Sequence, residues 1–172
     1  MASEKLTKED VEKIKAEINE RKSVLRPKIL EDVKSARAQG DLSENFEYYA
    51  ARKMNRENNS RIAYLEKVLR EATIIEANST NGVNLDNFVK VKFVEEGVDE
   101  VSWEEETYKV VTSIRADSIK KKVSIEAPLG KALINKEIGD IVKVDLDNGG
   151  SYELKIIDII KDTGDNDEIR SY

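Results

Sequence analysis

A narrow apolar stripe restricts this chain more than any other feature. From Val11 the apolar positions recur at Ile14, Ile18, Leu25, Ile29, Val33 and Ala36, in steps of three and four with a break at Arg21. This is the periodicity of one helical face. A stripe this narrow satisfies one partner helix and cannot wrap a broad core. The chain supplies that partner itself. Gly40 is placed as a helix-ending residue, and a second periodic segment runs from about Ser43 to Leu69. Its seam is Ile62, Leu65, Leu69 and Ala72, with Phe46, Ala50 and Met54 nearer the turn. Two segments of roughly 30 residues joined by a short turn pack as an antiparallel coiled-coil hairpin, with arms about 45–50 Å long. The turn, residues 40–47, becomes the tip of a rod.

Local signals refine the hairpin. Thr7-Lys8-Glu9-Asp10 has the form of a capping box that starts a helix at Thr7, with Leu6 and Val11 where a hydrophobic staple places them. Pro27 removes a helical hydrogen bond and is expected to bend the rod. The polar run Asn55-Arg56-Glu57-Asn58-Asn59-Ser60 is a poor helix former, so the hairpin is expected to be weaker there.

Residues 77–82, Ala77-Asn78-Ser79-Thr80-Asn81-Gly82, read as a linker. Beyond them the period falls to two. Val89, Val91 and Phe93 alternate with Lys90 and Lys92, and Tyr108/Val110, Val123/Ile125, Val142/Val144/Leu146 and Tyr152/Leu154/Ile156 repeat the pattern. Asn148-Gly149 signals a type I′ turn, and Pro128 to Ile134 a short helix. The fold class is therefore α+β: a helical hairpin over 1–77 and a small, mainly antiparallel β domain with a short helix over 78–172, ending in a loose tail at 162–172.

Charge divides the same way. Residues 1–77 carry 16 Lys+Arg against 15 Asp+Glu, and residues 78–172 carry 13 against 20. The chain has neither cysteine nor histidine, which excludes disulfides, Cys-ligated zinc, imidazole bases and thiol or serine dyads that depend on them. Any chemistry must rest on carboxylates, on lysines or on a borrowed active site. MASEKLTKED lacks the apolar core of a secretory signal, and no run is long enough to span a bilayer. A cytoplasmic protein without membrane association is expected.

The tip concentrates acid. Asp41-Leu42-Ser43-Glu44 reads as a helix cap with its acid three residues on. The same two carboxylates, at the end of a slender projection, could reach into another macromolecule and ligate Mg2+, which commonly takes only one or two protein carboxylates. Behind the turn, Lys34, Arg37, Arg52, Lys53 and Arg56 are either ordinary solvated surface or a patch for single-stranded phosphates. Phe46, Tyr48 and Tyr49 are expected to complete helix packing.

Arg37-Ala38-Gln39-Gly40-Asp41-Leu42-Ser43-Glu44-Asn45 is followed by Glu47-Tyr48, Ala50-Ala51-Arg52, Arg61-Ile62 and Leu65-Glu66. The second half carries Ile125-Glu126-Ala127-Pro128-Leu129-Gly130-Lys131-Ala132-Leu133-Ile134 and Ile138-Gly139-Asp140. In these motifs, and in order from about Leu6 to Ile160, the sequence resembles the bacterial Gre family of transcript cleavage factors. The resemblance implies a hairpin that enters the secondary channel of backtracked bacterial RNA polymerase, and an FKBP-like domain that docks outside through Ile125, Ala127, Pro128 and Leu129. It implies that Asp41 and Glu44 share a Mg2+ with the polymerase active site and activate its own cleavage of the nascent RNA 3′ end. Arg37 and Arg52, with Lys53 and Arg56, would face that RNA. Such a factor is no enzyme by itself, holds no cofactor when free, and is expected to be monomeric.

This chain has Ala127 where the family commonly has Ser, Asn135 where Gly is common and Tyr49 where His is frequent. The competing functions are a same-fold polymerase inhibitor, a peptidyl-prolyl isomerase or chaperone, and a coiled-coil interaction module without chemistry.

Overall fold

The computed structural model describes residues 4–40, 45–76, 81–162 and 168–169. The chain divides into two compact units, Met1–Glu4 with Asp10–Thr73 and Lys5–Glu9 with Ile74–Tyr172.

The first arm of the hairpin is α1 (Lys8–Glu20), a π-helical turn at Arg21–Leu25, and α2 (Arg26–Ala38). Glu20 and Leu25 keep helical dihedrals at the two junctions, so the three pieces form one continuous path. The irregularity expected from Pro27 lies one turn earlier. Pro27 has no N–H for the Ser23 carbonyl and its ring crowds that carbonyl. In the π turn just before it, Arg26 N–H bonds five residues back to Arg21 O, which widens the helix at that point. The apolar stripe is where its spacing placed it: Ile14, Ile29 and Ala36 are buried, and Ile18, Leu25 and Val33 half-buried.

The return arm is one helix, α3 (Phe46–Glu71). Contacts Glu17 to Arg61, Arg21 to Asn58 and Ala36 to Asn45 run in opposite chain directions, as an antiparallel pair requires. Near the turn the seam differs from the expectation. Phe46, Ala50 and Met54 face solvent, and the buried positions are Tyr48, Ala51, Asn58, Arg61, Ile62, Leu65 and Val68. Followed back from Leu65 in steps of three and four, the seam passes through Ile62, Asn58, Asn55, Ala51 and Tyr48. Hydrophobicity alone points to the wrong face because two of those positions are asparagine.

The polar middle is continuous helix and contains a bonded layer. Glu17 accepts from Arg61 Nε at 2.9 Å and Nη2 at 3.0 Å, and from Arg21 Nε at 2.7 Å. Arg21 Nη1 then donates to Asn58 Oδ1 at 3.2 Å. The break in the apolar stripe at Arg21 is thus filled by a guanidinium whose partner is the asparagine opposite.

Leu6, expected to staple the helix start, is fully buried and lies in β1 (Lys5–Leu6), which pairs with β2 (Thr73–Ile74). The second unit is built on β3 (Phe88–Phe93), β4 (Glu105–Val111), β5 (Lys122–Ser124), β6 (Ile141–Asp145) and β7 (Ser151–Ile160), in the order β5-β4-β3-β7-β6. Every neighbour is antiparallel except β4 with β5. Alternating Val89, Val91, Val142, Val144, Leu154 and Ile156 bury one face of the sheet, and Leu133 of α4 (Pro128–Leu133) closes over it.

The β6–β7 connection corrects the expected type I′ turn. Gly149 has φ +84°, but Asn148 is not left-handed. Gly149 N–H donates to Leu146 O at 2.9 Å and Leu146 N–H to Gly150 O at 2.8 Å, so this is a type I turn closed by a glycine bulge. At the start of the expected loose tail, Asp162 accepts from buried Lys109 Nζ at 2.6 Å.

Candidate functional site

At the end of the hairpin, Gln39 N–H donates back to Ala36 O at 3.3 Å, and Gly40 follows with φ +104°, a conformation that favours glycine. Asn45 opens the return. Its Oδ1 accepts Tyr48 N–H at 2.9 Å, capping α3, while its Nδ2 donates to Ala36 O at 2.8 Å. One side chain therefore ties the last turn of α2 to the first turn of α3. The cap expected within Asp41–Glu44 is in fact Asn45, and α3 begins at Phe46, not Ser43. Asp41, Leu42, Ser43 and Glu44 lie outside the described residues.

Behind this clasp Tyr48 is buried in the seam, with Arg52 Cζ 5.6 Å and Arg37 Cζ 5.9 Å from its ring centroid. The two arginines sit on opposite arms, and both lie within 6 Å of the same ring. Arg37 at the hydroxyl is the first cause holding the Tyr48 phenol below its ordinary pKa; burial opposes the shift and the charge of Arg52 assists it. Tyr49 meets Tyr48 edge-on at 5.8 Å. Lys53 lies farther along the outer surface of α3, 3.8 Å from Glu57, and Arg56 is exposed.

Arg37 and Arg52 thus converge on one ring, whereas Lys53 and Arg56 stay on the outer face. Sequence reasoning missed Asn45 and Tyr48 as organisers of the tip. An asparagine directly before Phe46-Glu47 is a strong N-cap signal, and Tyr48 follows from the seam once its phase is traced from Leu65.

In the second unit, Ile125 and Leu129 pack against the sheet core, Ala127 precedes α4 as its N-cap, and Pro128 opens it. All four are half-buried. The motif is held tightly by Gly130, where a Cβ would lie 2.0 Å from Ser124 O. A cavity of about 310 Å³ in this unit is lined by Arg115, Asp117, Lys120, Lys122 and Glu168 among others. That lining mixes charged residues with Ala116, Ile119 and Ile169 and has no aromatic ring, unlike the aromatic pocket a prolyl isomerase needs. Among the described residues no cluster of three Asp or Glu could hold a metal by itself, and no helix is long and apolar enough to cross a membrane.

Comparison with known proteins accounts for both units. A family model described as transcription elongation factor, N-terminal, matches residues 4–74, and one described as transcription elongation factor, GreA/GreB, C-terminal, matches residues 78–161. The chain belongs to the GreA/GreB family of transcription elongation factors. It is 43% identical to the transcription elongation factor GreA of Staphylococcus epidermidis over 154 residues, 90% of this chain and 94% of the relative. It is 41% identical over the same shares to GreA of Staphylococcus aureus. Among solved structures, the GreA factor homolog 1 protein of Thermus thermophilus aligns at 24% identity with a TM-score of 0.43, covering 92% of this chain and 99% of that one.

Proposed function

We propose that this GreA/GreB-family chain inserts its hairpin into the secondary channel of a backtracked bacterial RNA polymerase in the cytoplasm and stimulates cleavage of the nascent RNA 3′ end. Asp41 and Glu44 would hold a Mg2+ shared with the polymerase. Their carboxylates are the hard oxygen donors Mg2+ prefers, and two of them suffice when the remaining positions are filled by water, phosphate oxygens and polymerase groups. The bound ion would supply activation of the attacking water.

The chain's own part is delivery. Asn45 ties the last turn of α2 to the first turn of α3, which are the two helix ends that flank the acidic segment in sequence. Arg37 and Arg52, which converge on Tyr48, would hold phosphates of the displaced RNA. Docking of the second unit through the segment Ile125–Leu129 would leave its Ala127 and Pro128 backbone corner in contact with the enzyme. The observation that carries the proposal is the convergence of Arg37 and Arg52 on Tyr48 at the two helix ends that flank Asp41 and Glu44 in sequence.

The test is a cleavage time course on polymerase stalled in a backtracked state. The parent factor is expected to accelerate cleavage, and Asp41→Ala and Glu44→Ala to bind equally well while losing most of the acceleration. Full stimulation by both variants would defeat the ligand assignment, and slowing of cleavage by the parent would identify the same-fold inhibitor instead.

A further inference from the structure

Phe46, Tyr49, Lys53 and Arg56 follow one another at steps of three, four and three along α3, which places them on one strip of the helix. This strip is not the seam. Phe46 is 86% exposed and Tyr49 54% exposed, although both belong to residue types that helix packing normally covers. Lys53 and Arg56 continue the strip toward solvent. Tyr49 meets Tyr48 edge-on, and Tyr48 in turn lies within 6 Å of both Arg37 and Arg52. Among the described acids of this region, Glu57 pairs with Lys53, and Glu47 lies about 100° round the helix from Phe46.

Two exposed rings followed by two cations, over about 15 Å of helix, have the make-up of a single-strand binding surface: ring faces take bases and cations take phosphates. We infer that Phe46 and Tyr49 form a stacking platform for the unpaired bases of the displaced RNA 3′ end, with Lys53 and Arg56 on its phosphates. This rests on the proposed function and adds contacts to bases where Arg37 and Arg52 contact only backbone. The platform acts on engagement of the RNA and not on the cleavage step. Its effect therefore falls on the factor concentration required and not on the rate at saturation.

The test uses full-length factor and backtracked polymerase complexes whose displaced RNA segment carries either its bases or abasic nucleotides at the same positions. The variants are Phe46→Leu with Tyr49→Leu, which keeps helix-compatible apolar side chains at surface sites, and Phe46→Trp. With bases present, the double variant is expected to need about 10-fold more factor for half-maximal cleavage, with the saturating rate within about twofold of the parent. With abasic RNA, the parent and both variants should coincide, and with bases present Phe46→Trp should equal or exceed the parent. No loss with base-containing RNA overturns the inference. An equal loss with abasic RNA also overturns it, because the rings would then be touching protein. A parent factor that accelerates no cleavage removes the proposed function and the platform together, an outcome distinct from a working parent matched by its double variant.

Discussion

Replacing Glu17 by alanine removes the acceptor of three charge-assisted hydrogen bonds in the middle of the hairpin. The Arg61 side chain is 6% exposed and that of Glu17 22%, so the change takes a two-point carboxylate acceptor away from a nearly buried guanidinium. Breaking a buried pair from one side costs about 3–5 kcal/mol. The partial solvation of Glu17 places this pair at the lower end, about 3 kcal/mol. At 1.4 kcal/mol per tenfold, the locally opened hairpin becomes roughly 100-fold more populated. Hydrogen exchange of α3 amides between Asn58 and Leu65, with helical circular dichroism on thermal unfolding, measures this. Replacing both partners with apolar side chains, Glu17→Met with Arg61→Leu, should recover most of the loss. The pair also titrates. Burial pushes the Glu17 carboxyl up, but Arg61 and Arg21 together outweigh it and leave its pKa lowered. Its contribution is therefore full above the ordinary carboxylate range and is lost as pH falls through the lowered value. A cost below about 1 kcal/mol for Glu17→Ala, or a double replacement no better than the single, would refute the assignment of a paired polar layer.

Gly130→Ala should destabilise the second unit by about 3 kcal/mol, because the new Cβ meets the Ser124 carbonyl at 2.0 Å and both are backbone-anchored. Helix propensity alone favours alanine by up to about 1 kcal/mol, so the sign of the shift, read from the fluorescence of Trp103 during unfolding, decides between the two. Arg37→Ala should raise the Tyr48 phenol toward its ordinary pKa in an ultraviolet titration and make engagement of backtracked complexes less salt-dependent. An unchanged tyrosine titration would remove the contact, and an unchanged salt dependence the phosphate role.

The architecture was legible because both periodicities are strong. The stripe from Val11 to Ala36 and the alternation from Val89 onward each specify one buried face, and the buried residues follow them. The half of the seam nearest the tip was not legible from hydrophobicity, since Asn55 and Asn58 occupy it while Phe46 and Met54 point outward. Spacing carried the information that side-chain polarity hid. The break at Arg21 was visible, but its meaning depended on a partner 37 residues away. Asn148-Gly149 marked the correct turn and the wrong type, because residue identity permits a left-handed Asn148 without requiring it. Asn135, which stands where the family commonly has glycine, does adopt φ +62°. Asparagine is among the few other residues that tolerate this conformation. At the site, the residue types were legible, whereas the convergence of Arg37 and Arg52 on Tyr48 depends on two arms meeting in register.

A magnesium titration of transcript cleavage probes the loan of carboxylates most directly. With backtracked polymerase, the parent factor should lower the Mg2+ concentration needed for half-maximal cleavage by about tenfold, the effect of one added favourable ligand set worth roughly 1.4 kcal/mol. Asp41→Asn with Glu44→Gln should abolish that shift while still competing with the parent for polymerase. Faster cleavage at an unaltered Mg2+ requirement, in parent and double variant alike, would contradict it.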